Sequence, residues 1–195
     1  HMAIPWHHLC KAENPPITEA TLPEKASIIG RTGLMLLSCG TGAWRVRSSM
    51  NTLARTMGIT CTADVGLVSI EYTCIDKTEI FSQSLCLTTT GVNTAKLSEL
   101  ENFVLDFPAK HASETSKHLH KFLDHIEQRP GHYTPPALGL ASAVACCAFT
   151  FLLGGGPLEM LCAFFGAGIG NWLRATLTKK GFTLLLCVAS SVALA

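Results

Sequence analysis

Charge is scarce in this chain, and what there is sits in one part of it. Asp, Glu, Lys and Arg make up 15% of the 195 residues, against about 25% in an ordinary soluble domain. From Thr134 onward the only charged side chains are Glu159, Arg174, Lys179 and Lys180. That deficit excludes a uniformly solvated globule and divides the chain into a polar part and an apolar part. A basic excess is missing too. Residues 1–133 hold 12 Lys/Arg and 13 Asp/Glu, which leaves no basic stripe of the kind nucleic acid requires.

Sharp chemical motifs are also missing. The sequence has no GxSxG, no P-loop, no GxGxxG and no HExxH, so neither a hydrolase nor a nucleotide enzyme is indicated, and no catalytic residue or cofactor is expected. Nine cysteines are present, but no C-x-x-C. They read as reduced, structural thiols, because a disulfide framework does not suit so apolar a chain. His111, His118 and His125 recur every seven residues, with His120 between them. Zinc sites favour pairs three or four apart with further ligands, so no metal is expected.

The polar part predicts an α+β domain over 24–132, behind a proline-broken leader over 1–23 whose His1-Met2 reads as a tag remnant. Residues 24–39 and 44–57 carry apolar side chains at helical spacing, and Gly58 is a stop signal. Residues 60–75 predict one β-branched strand, Asp76-Lys77 a turn, and 78–88 a second strand. Residues 94–107 and 112–127 predict two more helices.

The apolar part predicts membrane spans. Residues 134–153 carry no charge, and at about 1.5 Å per residue they reach roughly 30 Å, one hydrocarbon core. Gly154-Gly-Gly-Pro157 is a turn, and residues 158–177 return. Residues 182–195 begin a third span too short to cross alone. The loop at 154–157 has no Lys or Arg, whereas Lys117, Lys121, Arg129, Arg174, Lys179 and Lys180 all fall on the other side. Positive residues mark the cytoplasmic face, so the leading domain is expected in the cytoplasm. The first long apolar run comes after residue 133, and no signal peptide is visible.

Several residues in the second span invite attention. Gly166-Ala-Gly-Ile-Gly170 is a GxxxG, a packing face that could also border a solute path. Asn171 is a polar group inside the span, Arg174 an anchor near its end, and Glu159 a carboxylate at its start. Each has a bland reading as well: helix–helix hydrogen bonding for Asn171, snorkelling for Arg174, and solvation for Glu159.

Taken in order, four segments resemble the threonine/serine exporter family from about Ala26 to the end. They are Ser38-Cys-Gly-Thr-Gly-Ala-Trp-Arg-Val46 with Leu53-Ala-Arg-Thr-Met-Gly58, then Gly91-Val-Asn93, then Tyr133-Thr-Pro-Pro136, then the glycine turn and glycine-rich second span. The resemblance implies a cytoplasmic domain followed by membrane spans, in a cell-membrane exporter of small solutes such as threonine, serine or a dicarboxylate. It marks Gly42, Arg45 and Asn93 as the soluble-domain motif. It also implies an oligomer, or further spans from the rest of the chain or a small partner subunit. The alternative is a membrane-tethered interaction or sensor module that transports nothing itself.

Overall fold

The computed structural model describes residues 4–9, 15–87, 91–129 and 134–179. The chain divides into two compact units, His1–Pro130 and Gly131–Ala195. The expected third span at 182–195, the His1-Met2 remnant and Tyr133 lie outside the described residues.

The first unit is built around α1 (Leu22–Ser38), which is buried on nearly all sides. Glu24, at the third helical position, accepts from the backbone N–H of Thr21 (3.2 Å), and Pro23 suits the first turn. Ile28, Ile29 and Leu36 are fully buried, each contributing about 1.5–3 kcal/mol of apolar transfer. Next to α1 lie α2 (Ala43–Thr56), α3 (Thr94–Asp106) and α4 (Ser116–Gln128). Gly40 and Gly58 adopt positive φ (79° and 72°) where α1 and α2 end, a conformation a side chain would oppose.

The sheet has three antiparallel strands where the sequence predicts two. β1 (Thr60–Val65), β2 (Ser69–Asp76) and β3 (Glu79–Cys86) pair in the order β1-β2-β3. The expected strand over 60–75 breaks at Gly66, whose N–H bonds the Ser69 carbonyl and turns the chain back. Cys61 then faces Cys74, and Tyr72 faces Gln83. The inner face, including Cys61, Ile70, Tyr72, Cys74 and Leu85, is buried. Tyr72 donates to the Ala26 carbonyl at 3.0 Å. Its ring fills the space over Gly30, where an added Cβ would meet Cζ at 2.5 Å. Burial pushes the Tyr72 hydroxyl above its ordinary range. The Cys74 thiol is pushed up by its hydrogen bond to Cys61 and by burial. The seven cysteines among the described residues are free thiols.

Two further expectations differ from the structure. Part of the stretch expected as a flexible leader is packed: Trp6 and Ile17 are buried, and the Ile17 N–H bonds the Glu114 carbonyl at 2.8 Å. That pairing also delays α4. Residues 112–115 form the connection that meets the leader, and Thr115 caps the helix by accepting from the His118 N–H. Pro108 lies in the widened π turn Phe107–His111 between α3 and α4, where its missing N–H is tolerated.

The second unit is a helical hairpin of α5 (Pro135–Leu152) and α6 (Pro157–Lys179). Gly154, at φ 84°, turns the chain between them. Among the described residues α5 is the one helix long and apolar enough to cross a membrane by length and composition. The expected second span is a continuous helix, but Glu159, Asn171 and Arg174 dilute its apolar run.

Candidate functional site

Gly42, Arg45 and Asn93 come together in space. Gly42 is the N-cap of α2, and Asn93 is the N-cap of α3, its side chain accepting from the Lys96 N–H at 3.1 Å. The two caps are held side by side by backbone bonds. Gly91 N–H donates to the Ser38 carbonyl (3.1 Å) and Asn93 N–H to the Cys39 carbonyl (3.4 Å). The glycines have a steric reason here, since a Cβ on Gly40 would meet Val92 and one on Gly42 would meet the Trp44 indole. Arg45 lies on the first turn of α2, pairs with Glu101 at 2.9 Å and stands 5.2 Å over the Trp44 ring. Both ion-pair partners are more than a third exposed, so the pair orients the guanidinium more than it stabilises the fold. Trp44 and Val92 are left 68% and 85% exposed, which marks a surface rather than a core.

A second polar constellation, which sequence reasoning missed, joins α1 to α4. Glu24, Ser27 and Arg31 form a stripe on α1, while Ser116, His120 and Asp124 form one on α4. Ser116 donates to Glu24 (3.0 Å), and Arg31 donates to the His120 carbonyl (3.1 Å) and to Asp124 and Glu127 (2.6 Å each). The network fixes one tautomer. Ser27 donates to the Glu24 carbonyl at 2.7 Å, so its oxygen is free to accept from His120 Nε2 at 3.0 Å. His120 Nδ1, 3.3 Å from Arg31 Nη1, is then the acceptor. Burial first, and the Arg31 charge second, lower the His120 pKa to about 3. A buried serine on a neutral histidine that donates to it is not an activated nucleophile; the arrangement clamps two helices. The spacing of 24, 27 and 31, polar residues three and four apart in an apolar helix, is the signal that could have found it.

The hairpin residues fall into distinct roles. α5 and α6 approach each other closely at Gly168, between Gly166 and Gly170. A Cβ on Gly168 would meet the Ala143 Cβ at 3.0 Å, and one on Gly139 would meet the Gly168 carbonyl at 2.9 Å. Gly170 is buried. Asn171 donates to the Leu138 carbonyl at 3.1 Å, a helix–helix bond. Glu159 accepts from the Gly156 N–H and caps α6. Arg174 is exposed. Gly139, Leu140, Phe165, Gly168 and Trp172 help line an apolar groove of about 310 Å³. Of the histidine stripe, His111 and His118 each close to 3.1 Å on Glu114. Among the described residues no group of three or more His, Cys, Asp or Glu is placed to hold a metal ion.

A comparison with protein families covers these segments. The model of the ThrE family, described as "Putative threonine/serine exporter", matches residues 27–195. No curated protein and no solved structure matches the chain. The family match starts inside α1, takes in the Gly42, Arg45 and Asn93 cluster and continues through the hairpin, and on that extent the chain belongs to the threonine/serine exporter family of membrane transport proteins.

Proposed function

We propose that the chain is a component of a secondary exporter of small hydroxylated amino acids such as threonine and serine, coupled to the proton gradient. In this reading α5 and α6 both cross the cell membrane, and the first unit lies in the cytoplasm, where it assembles or gates the complex. Family membership carries the transport role. The surface of the hairpin supports the membrane placement. Of α5 only Gly139 and Ala143 are buried, while Leu140, Val144, Phe149, Phe151 and Leu152 are more than half exposed. A helix apolar all round and so little buried suits lipid and not water. The Arg45 cluster is the place for solute or partner contact on the cytoplasmic side.

The test is counterflow of labelled threonine, serine and succinate in proteoliposomes holding the chain and any small membrane partner, with and without a pH gradient. Threonine or serine exchange that rises with the gradient, and falls in an Arg45→Ala variant, is the expected result. Succinate exchange alone would move the solute to the dicarboxylates. Absence of all three in folded protein would favour the tethered module that transports nothing.

A further inference from the structure

We infer that one end of the first unit is a membrane-contact surface, in which Trp44, Leu67, Val68 and Val92 seat in the headgroup layer of the bilayer that α5 enters. The inference rests on the reading of α5 and α6 as membrane-spanning. These four apolar side chains are 68%, 91%, 52% and 85% exposed, too open to belong to the core. They come from three separate places, the first turn of α2, the β1–β2 turn and the segment before α3, that the fold gathers at one end. Gly91 N–H bonds the Ser38 carbonyl, which brings the segment before α3 to the α1–α2 turn. Leu87 N–H bonds the Val68 carbonyl at 2.7 Å, which ties the end of β3 to the β1–β2 turn. Arg47, on α2, reaches Asp64 at the end of β1 at 3.7 Å.

The chemistry of this end fits a lipid interface. An indole with a polar N–H and an apolar body is the side chain that prefers the headgroup level. Leu67 and Val68 stand side by side on the β1–β2 turn and Val92 on the segment before α3, and a deformable interface needs no groove. Of the nearby charges, Arg45 pairs with Glu101 and Arg47 with Asp64, and Glu71, opposite Asp64 on β2, accepts from the Ser84 hydroxyl. Attraction therefore comes from apolar burial and the indole, and it requires no anionic lipid.

The covalent chain holds this same end close to the membrane. The Lys96 ammonium donates to the Glu127 carbonyl, and Arg129 pairs with Glu99. The last turn of α4 therefore lies at the first turns of α3, which begin at Asn93 beside Val92. Six residue steps lead from Arg129 to Pro135, a reach of at most about 21 Å for an extended chain. The end of the unit from which the chain departs for the bilayer is the end that carries the exposed tryptophan.

The test uses the full chain in phosphatidylcholine proteoliposomes with and without brominated acyl chains, in two single-tryptophan variants. Trp6→Phe/Trp172→Phe keeps Trp44, and Trp6→Phe/Trp44→Phe keeps Trp172. We expect brominated lipid to remove most of the Trp44 emission, equally at low and high salt. Adding Leu67→Asp/Val92→Asp should restore that emission while Trp172 stays quenched. The difference between the unaltered chain and Trp44→Phe alone reads the same quantity without touching Trp6 or Trp172. Quenching of Trp172 without Trp44 would overturn the contact and leave the spanning reading standing. Quenching of neither would overturn both. Trp44 shielded from iodide only at high protein-to-lipid ratio, and unquenched by bromine, would assign the surface to a second copy and overturn the proposal.

Discussion

Arg31 and His120 set each other's state, and the consequence is a pH dependence with a definite sign. Folded His120 binds a proton only near pH 3, whereas an unfolded histidine does so near 6.5. Between those values the unfolded chain takes up a proton that the folded chain refuses. Stability is therefore complete above about pH 6.5 and falls as pH falls, by up to about 1.4 kcal/mol per pH unit. Asp124 adds to the loss at the acid end. Burial raises its carboxyl, but the hydrogen bond and charge of Arg31, with His7 behind them, outweigh that and hold it below its ordinary value. Thermal unfolding of the detergent-solubilised chain from pH 7 to pH 4 should show the decline, and His120→Gln should flatten it by one proton. An equal slope in both proteins would remove His120 as the titrating group. None of this was legible from His120 itself, which lay in the sequence among three other histidines of α4 and its approach. What decides its state is a partner 89 residues away, and a one-dimensional pattern shows that α1 has a polar stripe without showing what it faces. Gly42, Arg45 and Asn93 were marked by the family resemblance alone, and that Gly42 and Asn93 are the N-caps of α2 and α3 came from the structure. The local signal was there to be used, since an Asn three residues before a bonded N–H is a cap pattern.

Among elements, the α5–α6 hairpin depends on close backbone approach. A Cβ on Gly168 would stand 3.0 Å from the Ala143 Cβ, and one on Gly139 would stand 2.9 Å from the Gly168 carbonyl oxygen. Gly168→Leu should therefore push the helices apart and cost about 1–3 kcal/mol, the usual penalty for overpacking. Ile169→Leu, at a position 45% exposed, should cost little. Thermal denaturation in detergent measures both, and equal stability of the two variants would show that the hairpin is not held at Gly168. The sequence pointed to the Gly166–Gly170 pair because small residues four apart suggest a packing seam. It could not select Gly168, because which glycine faces α5 depends on how α6 is rotated, and apolar residues surround it on every side. The helices of the first unit were legible from their spacing. Their boundaries moved where a tertiary partner intervened, as at α4, which waits for the leader to pair at Thr115. The third strand was hidden for a related reason. Residues 60–75 carry β-branched side chains on both sides of Gly66, so the reversal rests on Gly66 and on a β1 edge that only the folded sheet reveals.

For the molecule as a whole, the change from polar to apolar sequence near residue 133 was the plainest signal. The division into units falls beside it, between Pro130 and Gly131. Charge placement carries a further consequence about orientation. Lys117, Lys121 and Arg129 precede α5, while Arg174, Lys179 and Lys180 close α6 or follow it, and the turn between the helices has no Lys or Arg. Basic residues resist transfer across the membrane, so the turn at Gly154 should face outward and both flanks inward. A cysteine-free full chain carrying Gly155→Cys should then react with an impermeant maleimide on intact cells. One carrying Lys110→Cys, at an exposed position before α4, should react only after lysis. The opposite pattern would reverse the orientation and place the Arg45 surface outside, where it could not gate export from the cytoplasm. Reaction of neither until lysis would mean that α5 does not cross at all. That outcome would confine the exposed leucines and phenylalanines of the hairpin to a protein partner in place of lipid, and only labelling at both positions within one experiment separates these cases.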